Sequence, residues 1–257
     1  MLARLWSYRG LLRSWSARQF QLRYRQSAVG VLWVFVTPFA TLGAGALVFR
    51  RIAGIDTGGT PYILSTMSAV VPWTFLSSSV NAGVTSIINT QAIISRLAFP
   101  RATLPLSMVV VALFDLSVSA LIYIVIAFAT GAGIPATAAW VPILLLIEFI
   151  LVSGIVLLAS AVNMFLRDVK VAVPLLVQMW LLITPVMYPL SAAPKELRSW
   201  ILINPMAGLV ETFRSVLTKG QQPDVTLLIP ALIGAFSMFL IGAWYFSVTE
   251  HRFADVI

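Results

Sequence analysis

Two carboxylates stand inside long apolar runs: Asp115 between residues 104 and 130, and Glu148 between 141 and 165. A charge deep in a bilayer is expensive, so such residues face other protein or a water-filled path. They could relay a proton or cation, or they could be packing residues held by hydrogen bonds. Neither run contains a basic residue to pair with them, which favours packing. Histidine occurs once, at His251, and cysteine is absent. Thiolate nucleophiles and disulfides are therefore excluded, and no metal site is expected. Gly54, Gly58 and Gly59 are followed by no lysine, so there is no phosphate loop of the G-x-x-x-x-G-K-[ST] type. No nucleophilic triad, H-E-x-x-H pair or carboxylate cluster occurs either. The chain is expected to hold no cofactor and to catalyse nothing by itself.

The remaining chemistry lies in arginines and aromatic rings. The net charge is +8, carried mostly by arginine. In water this would suggest nucleic acid. Here the charge borders apolar runs, where anionic lipid headgroups are the natural partner and nucleic acid is not. Trp33, Phe35, Phe39, Trp73, Phe75, Trp180 and Tyr188 stand in the first, second and fifth runs. Such rings form belts at the membrane surface, or they line a path and stack on the C–H faces of sugars. Both readings stay open.

The elements that carry these residues follow from composition. The chain has 257 residues, of which 60% are hydrophobic and 10% charged. A soluble domain carries about 25% charged residues, so lipid must solvate much of this one. Apolar runs near the length needed to cross hydrocarbon, about 20 residues, occur at 29–49, 62–85, 104–130, 141–165, 171–189 and 226–248. They predict an all-α integral membrane protein with six transmembrane helices in a single domain, 1–257. The second run is the least regular, because Ser77, Ser78, Ser79, Asn81 and Asn89 make its later part polar. No inverted repeat is visible.

Arg4, Arg9, Arg13, Arg18, Arg23 and Arg25 precede the first run, and only Arg50 and Arg51 follow it closely. This asymmetry predicts a cytoplasmic N-terminus, and six spans return the C-terminus to the same side. Residues 1–28 predict an interfacial amphipathic helix, with Leu5, Tyr8, Leu12, Trp15 and Leu22 on one face. The segment 86–101 predicts a short cytoplasmic helix ended by Pro100, which could dock a soluble partner. The segment 190–225 is punctuated by Pro194, Pro205 and Pro223 and predicts short re-entrant helices over Leu197–Ile203 and Met206–Leu217. Irregular backbone at membrane depth must border protein or water.

The run Arg23–Trp33 (R-Y-R-Q-S-A-V-G-V-L-W), followed by Pro38, resembles the start of channel subunits of type-2 ABC exporters, especially those for O-antigen, capsule-like glycans or teichoic acid. Pro61–Tyr62, Trp73, Phe99–Arg101, Arg167–Asp168, Tyr188–Leu190 and Asn204–Pro205 with Arg214 continue the likeness in order along the chain. The resemblance implies a homodimer with two copies of a cytosolic ATPase that binds ATP and Mg, moving an undecaprenyl-type lipid-linked glycan. It implies coupling to the ATPase through Arg18, Arg23, Arg25, Ile88, Gln91, Ile94, Arg96, Arg101, Arg167 and Asp168. The aromatic residues named above would line the channel, and Asn204, Pro205, Glu211 and Arg214 would form an external gate. The N-terminal arginines could also meet the carrier's pyrophosphate. The alternatives are an exporter of drugs or lipids, an ion-coupled carrier working through Asp115 or Glu148, and a membrane-embedded transferase.

Overall fold

The computed structural model describes residues 7–25, 36, 39–40, 43, 61–91 and 99–253. Most of the first apolar run, and with it Trp33 and Phe35, lies outside the described residues, as do Ile94 and Arg96. Among the described residues every regular element is helical: α1 (Arg9–Arg25), α2 (Tyr62–Val84), α3 (Thr103–Ala129), α4 (Val141–Phe165), α5 (Val169–Ile183), α6 (Lys195–Ile201), α7 (Pro205–Arg214) and α8 (Val225–Thr249), with short 3-10 turns and one π turn, Ser215–Lys219. Helices satisfy their own backbone groups, which hydrocarbon demands.

Four of them, α2, α3, α4 and α8, are long and apolar enough to cross a membrane. The fifth run behaves differently. It predicts a span to residue 189, but α5 has 15 residues and stops at Ile183. Pro185 is the reason. A proline pushes the residue before it out of the helical region, and Thr184 is extended with ψ 132°. The segment 190–225 folds as the short helices α6 and α7 and the π turn.

The polar second run becomes the centre of the bundle. Helix α2 packs against α3, α4, α5 and α7, and its most apolar stretch is 83% buried. Because protein rather than lipid surrounds it, α2 can carry hydroxyls. Ser68 and Thr74 return theirs to the carbonyls of Ser65 and Val71, at 2.8 Å each. The main core gathers Leu64, Met67, Val70, Phe75, Val109 and Leu151 with residues of α7 and α8. Helix α8 lies along α4. They approach so closely that a Cβ on Gly242 would lie 2.1 Å from the Gly154 carbonyl oxygen; only glycine fits there.

Helix α1 packs on α3, where Phe20 meets Phe114 edge-on at 4.7 Å. The expected apolar face only partly matches the buried one. Tyr8 and Leu22 are exposed, while Leu12, Trp15, Ser16 and Phe20 turn inward. The helix seats against protein on one side instead of offering a single stripe to lipid.

Candidate functional site

Three assemblies mark the bundle. The first is at the end away from the 85–101 loop, around Arg214, which is 1% exposed. Its Nε donates to the Ser65 carbonyl at 3.1 Å, and its Nη2 donates to the Pro185 and Val186 carbonyls at 2.8 and 3.0 Å. Its Nη1 donates to the Glu211 carboxylate. Glu211 also accepts from the Leu190 amide at 3.1 Å. A buried guanidinium is tolerated when its donors are paired, and here three elements supply acceptors: the start of α2, the turn after α5, and α7 itself.

Asn204 adds a fourth tie. Its Oδ1 accepts from the Met206 amide at 3.0 Å and caps α7, and its Nδ2 donates to Thr184 Oγ1 at 2.9 Å. Pro205 occupies the first helical position, where no N–H is needed. Tyr62 closes the assembly by donating to the Met187 carbonyl at 3.1 Å. All four residues expected at the outer gate, Asn204, Pro205, Glu211 and Arg214, therefore sit in or beside one tightly bonded knot.

The second assembly corrects a sequence expectation. Asp115 does have a basic partner. Arg23 Nη1 is 2.9 Å from its Oδ2, and Ser78 Oγ donates to the same oxygen at 2.6 Å. Arg23 Nη2 also donates to Ser78 at 3.1 Å. Asp115 lies about 18 Å along α3 from Thr103, at 1.5 Å per residue. The partner comes from the segment before the first run, which is why the neighbouring sequence does not show it. Arg23, expected to contact a soluble ATPase, is engaged inside the chain. Glu148 differs. It is 0% exposed, and neither carboxylate oxygen has a partner among the described residues. The hydrogen bonds expected of a packing carboxylate are absent from it among the described residues.

The third assembly lies at the loop end. Ile87, Ala102, Leu104, Leu157, Met164, Phe246 and Phe253 form a second apolar cluster, with Trp15, Ile88 and Phe99 against it. Ile88 opens a 3-10 turn, and Gln91 follows it half-buried. The Arg101 amide donates to Glu250 Oε1 at 2.9 Å, and its guanidinium donates to the Glu250 carbonyl. Nothing local in the sequence joins positions so far apart. Arg167 and Asp168 are exposed in the turn between α4 and α5. Arg18 is exposed, 5.2 Å over the Trp15 ring, and Arg25 ends α1.

The aromatic candidates separate by burial. Phe39 is exposed at 49%, and Trp180 and Tyr188 are half-buried. Trp73 and Phe75 are 4% and 0% exposed. These two belong to the core because α2 is central, and they do not face an open path. Trp73 meets Trp180 edge-on at 5.8 Å. A cavity of about 210 Å³ lies between α2, α3 and α4, beside Tyr123 and Leu217, and its lining is almost wholly apolar. It is smaller than ordinary ligand pockets of about 300–1,000 Å³ and lacks polar groups for a sugar.

The described residues thus form a helical bundle with four helices long and apolar enough to cross a membrane, a polar knot at one end and a loop assembly at the other. The chain belongs to the ABC-2 type transporter family, which matches residues 11–218. It is 27% identical to the O-antigen export system permease protein RfbA of Myxococcus xanthus over 259 residues, covering 100% of this chain and 99% of that one. Two proteins of the same name from Klebsiella pneumoniae are 26% and 24% identical, each covering 93% of this chain and 92% of the relative.

Proposed function

We propose that this chain is the membrane channel subunit of an ATP-driven exporter that carries a lipid-linked polysaccharide, O-antigen or a related cell-surface glycan, from the cytoplasm across the inner membrane. The observation that carries the reading is the full-length likeness to O-antigen export permeases. The sequence lacks a phosphate loop, so ATP and Mg belong to a separate ATPase. Two ATPase copies would dock beneath a homodimer of this chain, at the face that carries Arg18, Arg167 and Asp168. The N- and C-termini would lie on the same cytoplasmic side.

Six spans per chain complete the scheme: the first run, the four long helices, and α5 extended by the bonded turn to Leu190. The small apolar cavity offers no route for a glycan within the described residues. The passage would therefore run between two copies, past the exposed apolar side of α5. The substrate would be an undecaprenyl-type carrier bearing the polymer.

The test is reconstitution. Co-expression with a cytosolic ATPase that carries the phosphate loop this chain lacks should yield a stable complex. In proteoliposomes that complex should move lipid-linked glycan only with hydrolysable ATP. Transport by this chain alone would overturn the reading. Export of lipids or drugs but not glycan by the same complex would keep the family and reject the substrate.

A further inference from the structure

We propose that Asn163 is the positioning residue that carries movement of the loop that begins at Thr85 into α5; this rests on the reading of the chain as an ATPase-driven exporter. Asn163 lies near the end of α4 and is 0% exposed. Its Nδ2 donates to the carbonyl of Val84, the last residue of α2, at 2.8 Å. Its Oδ1 accepts from the amide of Lys170, in the first turn of α5, at 3.0 Å. One planar amide therefore joins the helix that leads into the loop to the helix that follows the next turn.

The need for this amide on the α5 side is evident. The first N–H groups of a helix have no partner within it. Asp168 occupies the N-cap of α5 but makes no side-chain cap bond. Asn163 supplies an acceptor from the preceding helix instead. A leucine would offer neither donor nor acceptor, and an aspartate could only accept.

The surroundings set the direction of transmission. The loop is fastened at its far end by Arg101 and Glu250. Ile87 is buried at 0% in the cluster with Leu157 and Phe246. Helix α4 is itself locked to α8 at Gly154 and Gly242. Helix α5 is the loosely held member: only Val177 is buried, while Val171, Leu175, Leu176, Met179 and Leu182 are each more than half exposed. A displacement at Val84 thus meets a fixed post on one side and a lightly packed helix on the other. Asn163 bonds to the first turn of that helix.

The experiment uses the complete complex with its ATPase in proteoliposomes and reads glycan moved per ATP hydrolysed, with the wild type alongside. For Asn163→Leu, the complex should assemble and ATP turnover should stay close to the wild type. The glycan-to-ATP ratio should fall at least about tenfold, since both hydrogen bonds of the buried amide are lost. Lys170→Pro removes the amide donor together with the lysine side chain, at a helix turn that tolerates proline; it should lower the same ratio, whereas Lys170→Ala, which keeps the amide, should not. If Asn163→Leu does not assemble, Lys170→Pro decides. A purely structural role would reduce the amount of complex and leave the ratio unchanged. A wild-type ratio in the assembled variants overturns the proposal. A wild-type complex that moves no glycan overturns the functional reading instead.

Discussion

Arg23 and Asp115 meet at 2.9 Å, although one precedes the first apolar run and the other sits midway along α3. The pair pins α1 to the side of a span. The Arg23 side chain is 40% exposed and that of Asp115 is 9% exposed, so solvent or headgroups weaken the attraction, and its worth is about 1 kcal/mol. Asp115→Asn should lower the melting midpoint of the purified protein by about 2–4 °C. Arg23→Gln on that background should add little. Fully additive losses would show that the two residues are not coupled.

The Arg214 knot should be far less forgiving. Removing one partner of a buried ion pair costs about 3–5 kcal/mol. Arg214→Leu would strand Glu211 and leave the carbonyls of Ser65, Pro185 and Val186 without their donor. We expect almost no monodisperse protein in detergent. Arg214→Lys should recover little, because a single ammonium cannot reproduce the fork. A normal yield from the lysine variant would contradict the geometry.

Glu148 predicts the opposite sign. Its carboxylate oxygens bond to nothing among the described residues. Exchanging an unsatisfied polar group for an apolar one of similar size is neutral or stabilising. Glu148→Leu should melt at or above the wild-type temperature and keep ATP-driven transport. Loss of transport in a well-folded Glu148→Leu protein would revive the ion relay.

The α4–α8 crossing gives a steric test. Gly242→Ala places a methyl group where the Gly154 carbonyl stands, and overpacking costs about 1–3 kcal/mol or more. Gly10→Ala is the control: it lies in α1 with nothing within 4 Å of the added Cβ. Relief of glycine's backbone entropy there should add about 0.5–1 kcal/mol of stability. Equal melting shifts in the two variants would mean that the helices do not touch as described.

At the start of α8 the prediction concerns pH. Asp224 accepts from the Thr226 amide and hydroxyl at 2.8 and 2.7 Å. These bonds, the hydroxyl first, hold its carboxyl below the usual value. The stabilisation is therefore present above the unfolded carboxylate value, about pH 3.9, and disappears as pH falls through the lower folded value. Asp224→Asn keeps an acceptor and should flatten that part of the melting profile. An unchanged profile would remove the cap from the account.

The helices were legible because long apolar runs have few other solutions in lipid. α3, α4 and α8 occupy the runs that announce them. The end of α5 was written in Pro185, although the apolar run continues past it. The centrality of α2 was hidden, since its serines read as a weakness of the span and only the assembled bundle shows why they are tolerated. Among the site residues, Arg214 and Asn204 stood out through the family resemblance. Asn163 and Glu250 carried no signal, because Val84 and Arg101 are distant in sequence and main-chain groups do half of the bonding. The inward face of α1 was legible only in Leu12 and Trp15; Ser16 and Phe20 join it because the register is set by Phe114 and Asp115 on α3.

The Gly154–Gly242 contact also constrains how the bundle can open. Two helices that meet backbone to backbone cannot slide along one another without main-chain collision. They behave as one rigid pillar, with α7 leaning on α8 through the packing of Pro205 against Gly234. A widening of the bundle that kept this pillar intact would fall on α5, which has a single buried side chain.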